Sequence, residues 1–430
     1  MTSRRTLLGA AGVAAAGGAL ALSGCSSGGG GASPELGAMA AKSAKDSISF
    51  QIWDAAQAPA MRQIIDAFHE DYPGIEVTMS IAAYASYFER LRIQATGDDL
   101  PDVFWINGPN FELYASHGLL QDLSDLEGFD PKNYPQNLVD LYTYDAKPCA
   151  IPKDFDTIGL WYNRELLHRA GVDAPDGSWS WQQYRDASEQ VTRKLRSDRI
   201  WGNPGGIETQ AYIYPLALQA GGFIVSEDKR TSGYDDPGTL EAFDFLRGMI
   251  DDGIAPDVRY TTENPPQDLF SDGRAALMTS GNWQAAVLQD SVVKEQIDAA
   301  PLIHGKQEGN VIHGIGYAMS AHGSHKPAAS AFLAFLGSEK AARIQGAAGA
   351  ANPAFIGTND SFFDALPGFD LELFVDAAET ALPYPVSQNT SAWNQLEELL
   401  LPKIVGGPGD VAETAKDLAD RMDGVLADES

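Results

Sequence analysis

Basic residues are scarce in this chain. Lys and Arg number 30 against 59 Asp and Glu, which leaves a formal net charge of −29 over 430 residues. Nucleic acids and anionic membrane surfaces both require a basic footprint, so neither is expected as a main partner. Cysteine is nearly absent as well. Cys25 and Cys149 allow at most one disulfide, which excludes a disulfide-stapled scaffold. The seven histidines are scattered and form no His-Glu-x-x-His. Their nearest approach, His322-Gly323-Ser324-His325, reads as a surface turn before Pro327 and not as a metal site. The phosphate-cradling glycine loop with its lysine is missing, and Gly314-x-Gly316 lacks the third glycine of a dinucleotide fingerprint. No serine stands in Gly-x-Ser-x-Gly. Paired acids for glycoside hydrolysis are always available among 59 carboxylates, but nothing singles out a pair. No catalytic residue, metal ligand or cofactor is therefore assigned.

What remains is globular: 44% hydrophobic and 21% charged residues, with length for two to three domains' worth of core. The longest mild apolar run, residues 6–22, is rich in alanine and glycine, follows Arg4-Arg5 and ends at Leu22-Ser23-Gly24-Cys25. A basic start, a short apolar middle and small residues at the end describe a signal peptide, residues 1–24. An uncleaved short anchor is the alternative, although so many glycines make a poor spanning helix. Ser3-Arg4-Arg5-Thr6-Leu7-Leu8 looks like a twin-arginine export signal. Leu-Ser-Gly-Cys resembles the bacterial lipobox, in which Cys25 would be lipidated. Residues 25–45, rich in glycine and serine, would then be a flexible tether on the extracytoplasmic face of the cell membrane. Cys149 would be left as a small buried apolar residue.

The body alternates strand and helix. Residues 49–53 read as a buried strand, and Met61, Ile64, Ile65 and Phe68 mark one face of a helix that Tyr72-Pro73-Gly74 stops. Residues 75–81 give a second strand, Phe88, Leu91 and Ala95 a second helix, and 102–107 a third, almost wholly apolar strand. Such alternation predicts a parallel sheet covered on both faces. It returns after Pro152, with a strand at 157–162 and helical faces at 184–195 and at Leu240, Phe243, Leu246 and Ile250. The tail carries two more helical patterns, 393–400 and 411–426. With no long Pro/Gly linker inside the body, two α/β lobes joined by short crossovers, with a cleft between them, are expected.

In a parallel sheet, ligands bind beyond the carboxyl ends of strands. Aromatic and polar residues gather there: Trp53-Asp54, Trp105-Ile106-Asn107, Asp154-Phe155-Asp156, Gly281-Asn282-Trp283, and Tyr384 in Leu-Pro-Tyr-Pro. Sugars present apolar C–H faces that indole and phenol rings cover, and hydroxyl rims that Asp, Asn and backbone groups pair. Each position has a second reading. Trp53 and Trp105 could equally be core, Asp54 and Asn107 helix caps, and Asp154 with Asp156 a solvated loop pair. Trp283 after Gly-Asn reads better as exposed, while Trp179 and Trp181 read as a staple at a helix start.

At this point the chain resembles the extracellular solute-binding proteins (family 1, sugar-binding lipoproteins) of ABC importers. The resemblance runs from about Ile48 to Asn352 and rests on the order and spacing of several blocks. They include Phe68-x-x-x-Tyr72-Pro73-Gly74-Ile75-x-Val77, Leu100-Pro101-Asp102-Val103-Phe104, Gly118-Leu119-Leu120-x-Asp122-Leu123, Ile151-Pro152-Lys153, Trp161-Tyr162-Asn163, Trp179-Ser180-Trp181 and Gly281-Asn282-Trp283. It implies a two-lobed periplasmic-binding-protein-like α/β fold, each lobe a mainly parallel sheet flanked by helices. Residues 46–155 plus 314–352 would form lobe 1, and 156–313 plus 353–430 lobe 2, with three hinge crossings. It also implies that Trp53, Asp54, Tyr84, Trp105, Asn107, Asp154, Asp156, Asn282 and Trp283 face the ligand, with Tyr384 the least matched. The implied function is capture of a mono- to oligosaccharide and delivery to ABC permease subunits, by a monomer without enzymatic activity. A receptor for another polar solute such as a glycerophosphodiester, or a tethered glycan-acting enzyme, are the alternatives.

Overall fold

The computed structural model describes residues 45–429. The signal, the lipobox Cys25 and most of the tether lie outside the described residues. Strand β1 (Asp46–Ile52) buries Ile48, Phe50 and Ile52 on alternate positions. Helix α1 (Ala58–Asp71) follows, turning Met61, Ile64, Ile65 and Phe68 inward. Fully burying each such side chain contributes about 1.5–3 kcal/mol. Strand β2 (Ile75–Ile81), helix α2 (Tyr84–Thr96), strand β3 (Val103–Asn107) and the short β4 (Ala150–Pro152) complete this half on the outward pass.

The chain then leaves for a second sheet made of β5 (Ile158–Asn163), β6 (Leu277–Gly281) and β7 (Ile297–Pro301). Helix α3 (Pro237–Asp251) lies between β5 and β6 in sequence. Strand β8 (Ile315–Met319) returns to the first sheet, whose order is β2-β1-β3-β8-β4. The second sheet has the order β6-β5-β7. Helices α4 (Thr390–Gly406) and α5 (Val411–Asp428) pack against the second lobe, where Trp393, Leu400, Ile404, Leu418 and Met422 share one apolar cluster with Tyr214 and Phe243.

The two-lobed α/β architecture is as expected, but the mainly parallel sheets are not. Within these two sheets, among the described residues, only β1 with β2 and β1 with β3 pair in parallel. Strand β8 runs antiparallel to both β3 and β4, and β5 runs antiparallel to both β6 and β7. The cause is connectivity: β8 enters the first lobe from the second, so it runs against the strands that started there. Apolar content along a strand reports burial on both faces, and says nothing of direction.

Three segments run side by side between the lobes. Asp154 bridges to Pro353 and Asp156 to His313, both antiparallel. Asp156 N–H donates to the His313 carbonyl at 2.8 Å, and Phe155 N–H to the Asn352 carbonyl at 3.2 Å. Gly314 permits this approach, since a Cβ there would lie 2.1 Å from the Asp154 carbonyl oxygen. Among the described residues no helix is long and apolar enough to cross a membrane.

Candidate functional site

The largest cavity described holds about 740 Å³. Tyr84, at the start of α2, contributes to it from the first lobe. The second lobe contributes Trp283, Thr279, Ser280, Tyr212 and Tyr384, together with Glu208, Glu397 and Glu398. Two further cavities are small, about 30 and 10 Å³. The volume suits a ligand of several rings, because small-molecule sites commonly span about 300–1,000 Å³.

Trp283 is 38% exposed into this space. Its indole lies against Gly281, where a Cβ would sit 1.8 Å from Cζ3. The glycine therefore sets the ring's position: any side chain there would displace the indole from the wall. Tyr84 is 56% exposed, and its hydroxyl accepts from Asn107 Nδ2 at 3.1 Å. Asn107 Oδ1 in turn accepts from Asn110 Nδ2 at 2.8 Å, so Asn107 is a buried support for the tyrosine. Tyr384 is nearly buried, with its ring edge-on to Tyr214 at 5.1 Å between centroids.

Trp53 and Trp105 both pack in the first core and neither lines the cavity. Trp53 is half-buried, 5.7 Å from Tyr84 and 5.1 Å from Trp105 between ring centroids. Trp105 is fully buried in the first core, away from the cavity wall. Rings thus run from the cleft inward, Tyr84 to Trp53 to Trp105. Lys153 Nζ caps the far end, 4.7 Å from the Trp105 ring centroid.

The polar strand-end residues are mostly structural. Asp54 accepts from Ala56 N–H at 2.8 Å and from Gln57 Nε2 at 3.1 Å, tying the turn into α1. Asp154, buried, pairs with Lys153 Nζ at 2.5 Å and accepts from Ile315 N–H at 2.7 Å. Asn282, also buried, clamps the crossing: its Nδ2 donates to the Phe155 carbonyl at 3.1 Å, and its Oδ1 accepts from Thr157 N–H at 3.2 Å. Asp156 accepts from Gln210 Nε2 at 3.2 Å and lies 3.8 Å from His313 Nδ1. The second lobe also touches the first through Lys229 with Glu112 and through Gln388 Nε2 to Ser116 Oγ at 3.0 Å.

Several wall residues carry no strand-end signal. Glu208 precedes a π-helical turn, Thr209–Ile213, a form common at functional sites. Its carboxylate is exposed and accepts from Gln210 N–H at 3.1 Å and Ala211 N–H at 2.5 Å. Glu397, buried in α4, accepts from Tyr214 Oη at 2.8 Å, from Tyr234 Oη, and from Asn394 Nδ2 at 2.6 Å. Burial pushes its carboxyl up to about 7, against the pull of those donors. One sequence signal could have found it: Glu397 stands four residues after Trp393 and three before Leu400, on the helix's apolar face. Tyr212 Oη and Thr279 Oγ1 are buried on the same wall and pair with each other.

Residues 54–343 match the family described as bacterial extracellular solute-binding protein. The chain belongs to that family. Among curated relatives of this solute-binding protein, a putative binding protein of Brucella abortus (strain 2308) is 22% identical over 269 residues, 61% of this chain. The chain spans 64% of that relative's length. The galactooligosaccharide-binding protein of Bacillus subtilis (strain 168) is 23% identical over 313 residues, 70% of this chain and 71% of the relative. Among solved structures, the substrate-binding protein Lmo0181 of Listeria monocytogenes in complex with cycloalternan superposes with a TM-score of 0.82 at 25% identity, covering 89% of this chain and 100% of the other. UspC of M. tuberculosis gives 0.72 at 27% identity, covering 88% and 99%.

Proposed function

We propose that this protein is the receptor of an ABC importer, that it holds a carbohydrate between its lobes, and that it passes it unaltered to the membrane permease. The observation that carries this is the cavity itself, which is lined both by the aromatic residues Trp283, Tyr84 and Tyr384 and by the hydroxyl and carboxyl residues Thr279, Ser280 and Glu397. A saccharide needs both kinds of surface at once. In this reading Trp283, Tyr84 and Tyr384 contact the ligand, with Trp53 behind Tyr84. Asn107, Asp154, Asp156 and Asn282 position the walls and the hinge. The lobes divide as 46–155 plus 314–352 and 156–313 plus 353–430, and Cys25 carries a lipid that keeps the receptor at the extracytoplasmic face. The oligosaccharides named for the Bacillus subtilis and Listeria proteins support the same ligand class.

Ligand touching both lobes favours the closed arrangement, because it gains contacts there that the open one lacks. A phosphodiester is a poorer occupant, since among the described residues the cleft wall contains no Lys, Arg or His to meet it. A thermal-shift screen against mono-, di- and trisaccharides tests the proposal. A ligand at a hundredfold excess over its dissociation constant should stabilise the protein by about 2.7 kcal/mol. The same ligand should be recovered intact after overnight incubation, whereas a glycan-acting enzyme would shorten it. No stabilisation by any saccharide would remove the proposal.

A further inference from the structure

The charged groups on the cleft wall are all of one sign. Glu208, Glu397 and Glu398 line it, and among the described residues no cationic side chain does. None of the three forms an ion pair with a Lys, Arg or His among the described residues. Their protein partners are neutral donors: two backbone N–H groups for Glu208, and two phenols and an amide for Glu397. Glu397 is the unusual one, a carboxyl only 2% exposed at the cavity floor. Burying a carboxylate without a counter-charge is costly, so such groups are normally paired. Here the side open to the cleft is where a counter-charge can arrive. On the same wall, Tyr212 Oη and Thr279 Oγ1, each on a side chain at least nine-tenths buried, have only one another as side-chain partners among the described residues. Those hydroxyls can pair a sugar's hydroxyl rim, while the carboxylates answer a positive group on the same ring.

We infer that the cleft selects a saccharide carrying a basic amine, and discriminates against one carrying a carboxylate or phosphate. This rests on the carbohydrate-receptor reading above and narrows it. An ammonium placed between Glu208 and Glu397 would donate charge-assisted hydrogen bonds to their ionised carboxylates, roughly twice as strong as neutral ones. A uronate in the same place would meet like charge within a partly desolvated site. The protein's overall acidity adds a field of the same sense, attracting cationic solutes toward the mouth.

The test is a set of calorimetric titrations of the intact protein with three matched probes: a glucosamine oligosaccharide, its N-acetylated counterpart of equal length, and an oligogalacturonate. The aminated probe should bind at least about tenfold more tightly than the acetylated one, and the uronate most weakly of all. In Glu397→Gln the ratio of aminated to acetylated affinity should fall toward one. Glu208→Gln, at an exposed carboxylate, should lower the same ratio, and it guards against a floor variant that folds poorly. An acetylated probe that binds as tightly as the aminated one, or a ratio untouched by both substitutions, overturns the inference while leaving a carbohydrate receptor standing. Failure of every saccharide, neutral ones included, overturns the receptor reading and this inference with it.

Discussion

Replacing Trp105 by alanine is expected to destabilise the protein by about 3–5 kcal/mol, the range for emptying a tryptophan-sized volume in a close-packed core. The residue is fully buried among the first lobe's apolar side chains. Its loss would also strip Trp53 of an edge-on neighbour and Lys153 of the ring beneath its ammonium. Lys153 is itself buried and paired with Asp154 in the hinge strap, so the void would open beside an ion pair that depends on its surroundings. Urea unfolding followed by circular dichroism measures the effect. A loss below about 1 kcal/mol would mean that the indole is not a core element, as only a surface position tolerates so large a truncation.

The second large effect concerns pH. The Glu397 carboxyl is raised from 4.5 to about 7, first by burial, while Tyr234, Tyr214 and Asn394 donate to it and Glu208 adds to the rise. Tyr384 is the remaining titratable neighbour, its ring against Tyr214. Because the folded state holds this proton more tightly than the unfolded chain does, the neutral acid's contribution is complete below pH 4.5 and lost as the pH rises through about 7. The gap between 4.5 and about 7 corresponds to roughly 3 kcal/mol. Glu397→Gln keeps the shape and removes the titration. Melting curves taken from about pH 4.5 to about pH 8 should therefore fall more steeply for the wild type than for the variant, by up to that amount. Parallel curves would show that Glu397 ionises freely in the folded protein.

Much of the first lobe was legible in the sequence. The spacing of Met61, Ile64, Ile65 and Phe68 can be satisfied only by a helix with one buried face, and Tyr72-Pro73-Gly74 can only end it. Strand direction was not legible: β5 and β8 are apolar along their length, and that pattern is the same for parallel and antiparallel neighbours. The same ambiguity blurred the site. Every residue of β3 is buried, so alternation cannot say whether Trp105 faces cleft or core. Trp283 was easier to read, because Gly281 beside it leaves room for the indole. Asp54 and Asn107 look like sugar partners in the sequence but spend their side chains on local bonds. The π-helical turn after Glu208 leaves no periodic trace, and its contribution to the wall appears only in three dimensions.

The central claim is that a saccharide lies against Trp283 in the space between the lobes. The most direct measurement is calorimetric titration of a saccharide that stabilises the protein into wild type and Trp283→Ala side by side. A stacked indole contributes about 0.5–1.5 kcal/mol beyond the area it buries, so the variant should bind at least about tenfold more weakly while melting at nearly the same temperature. Equal affinities in the two proteins would place the ligand elsewhere and contradict the account.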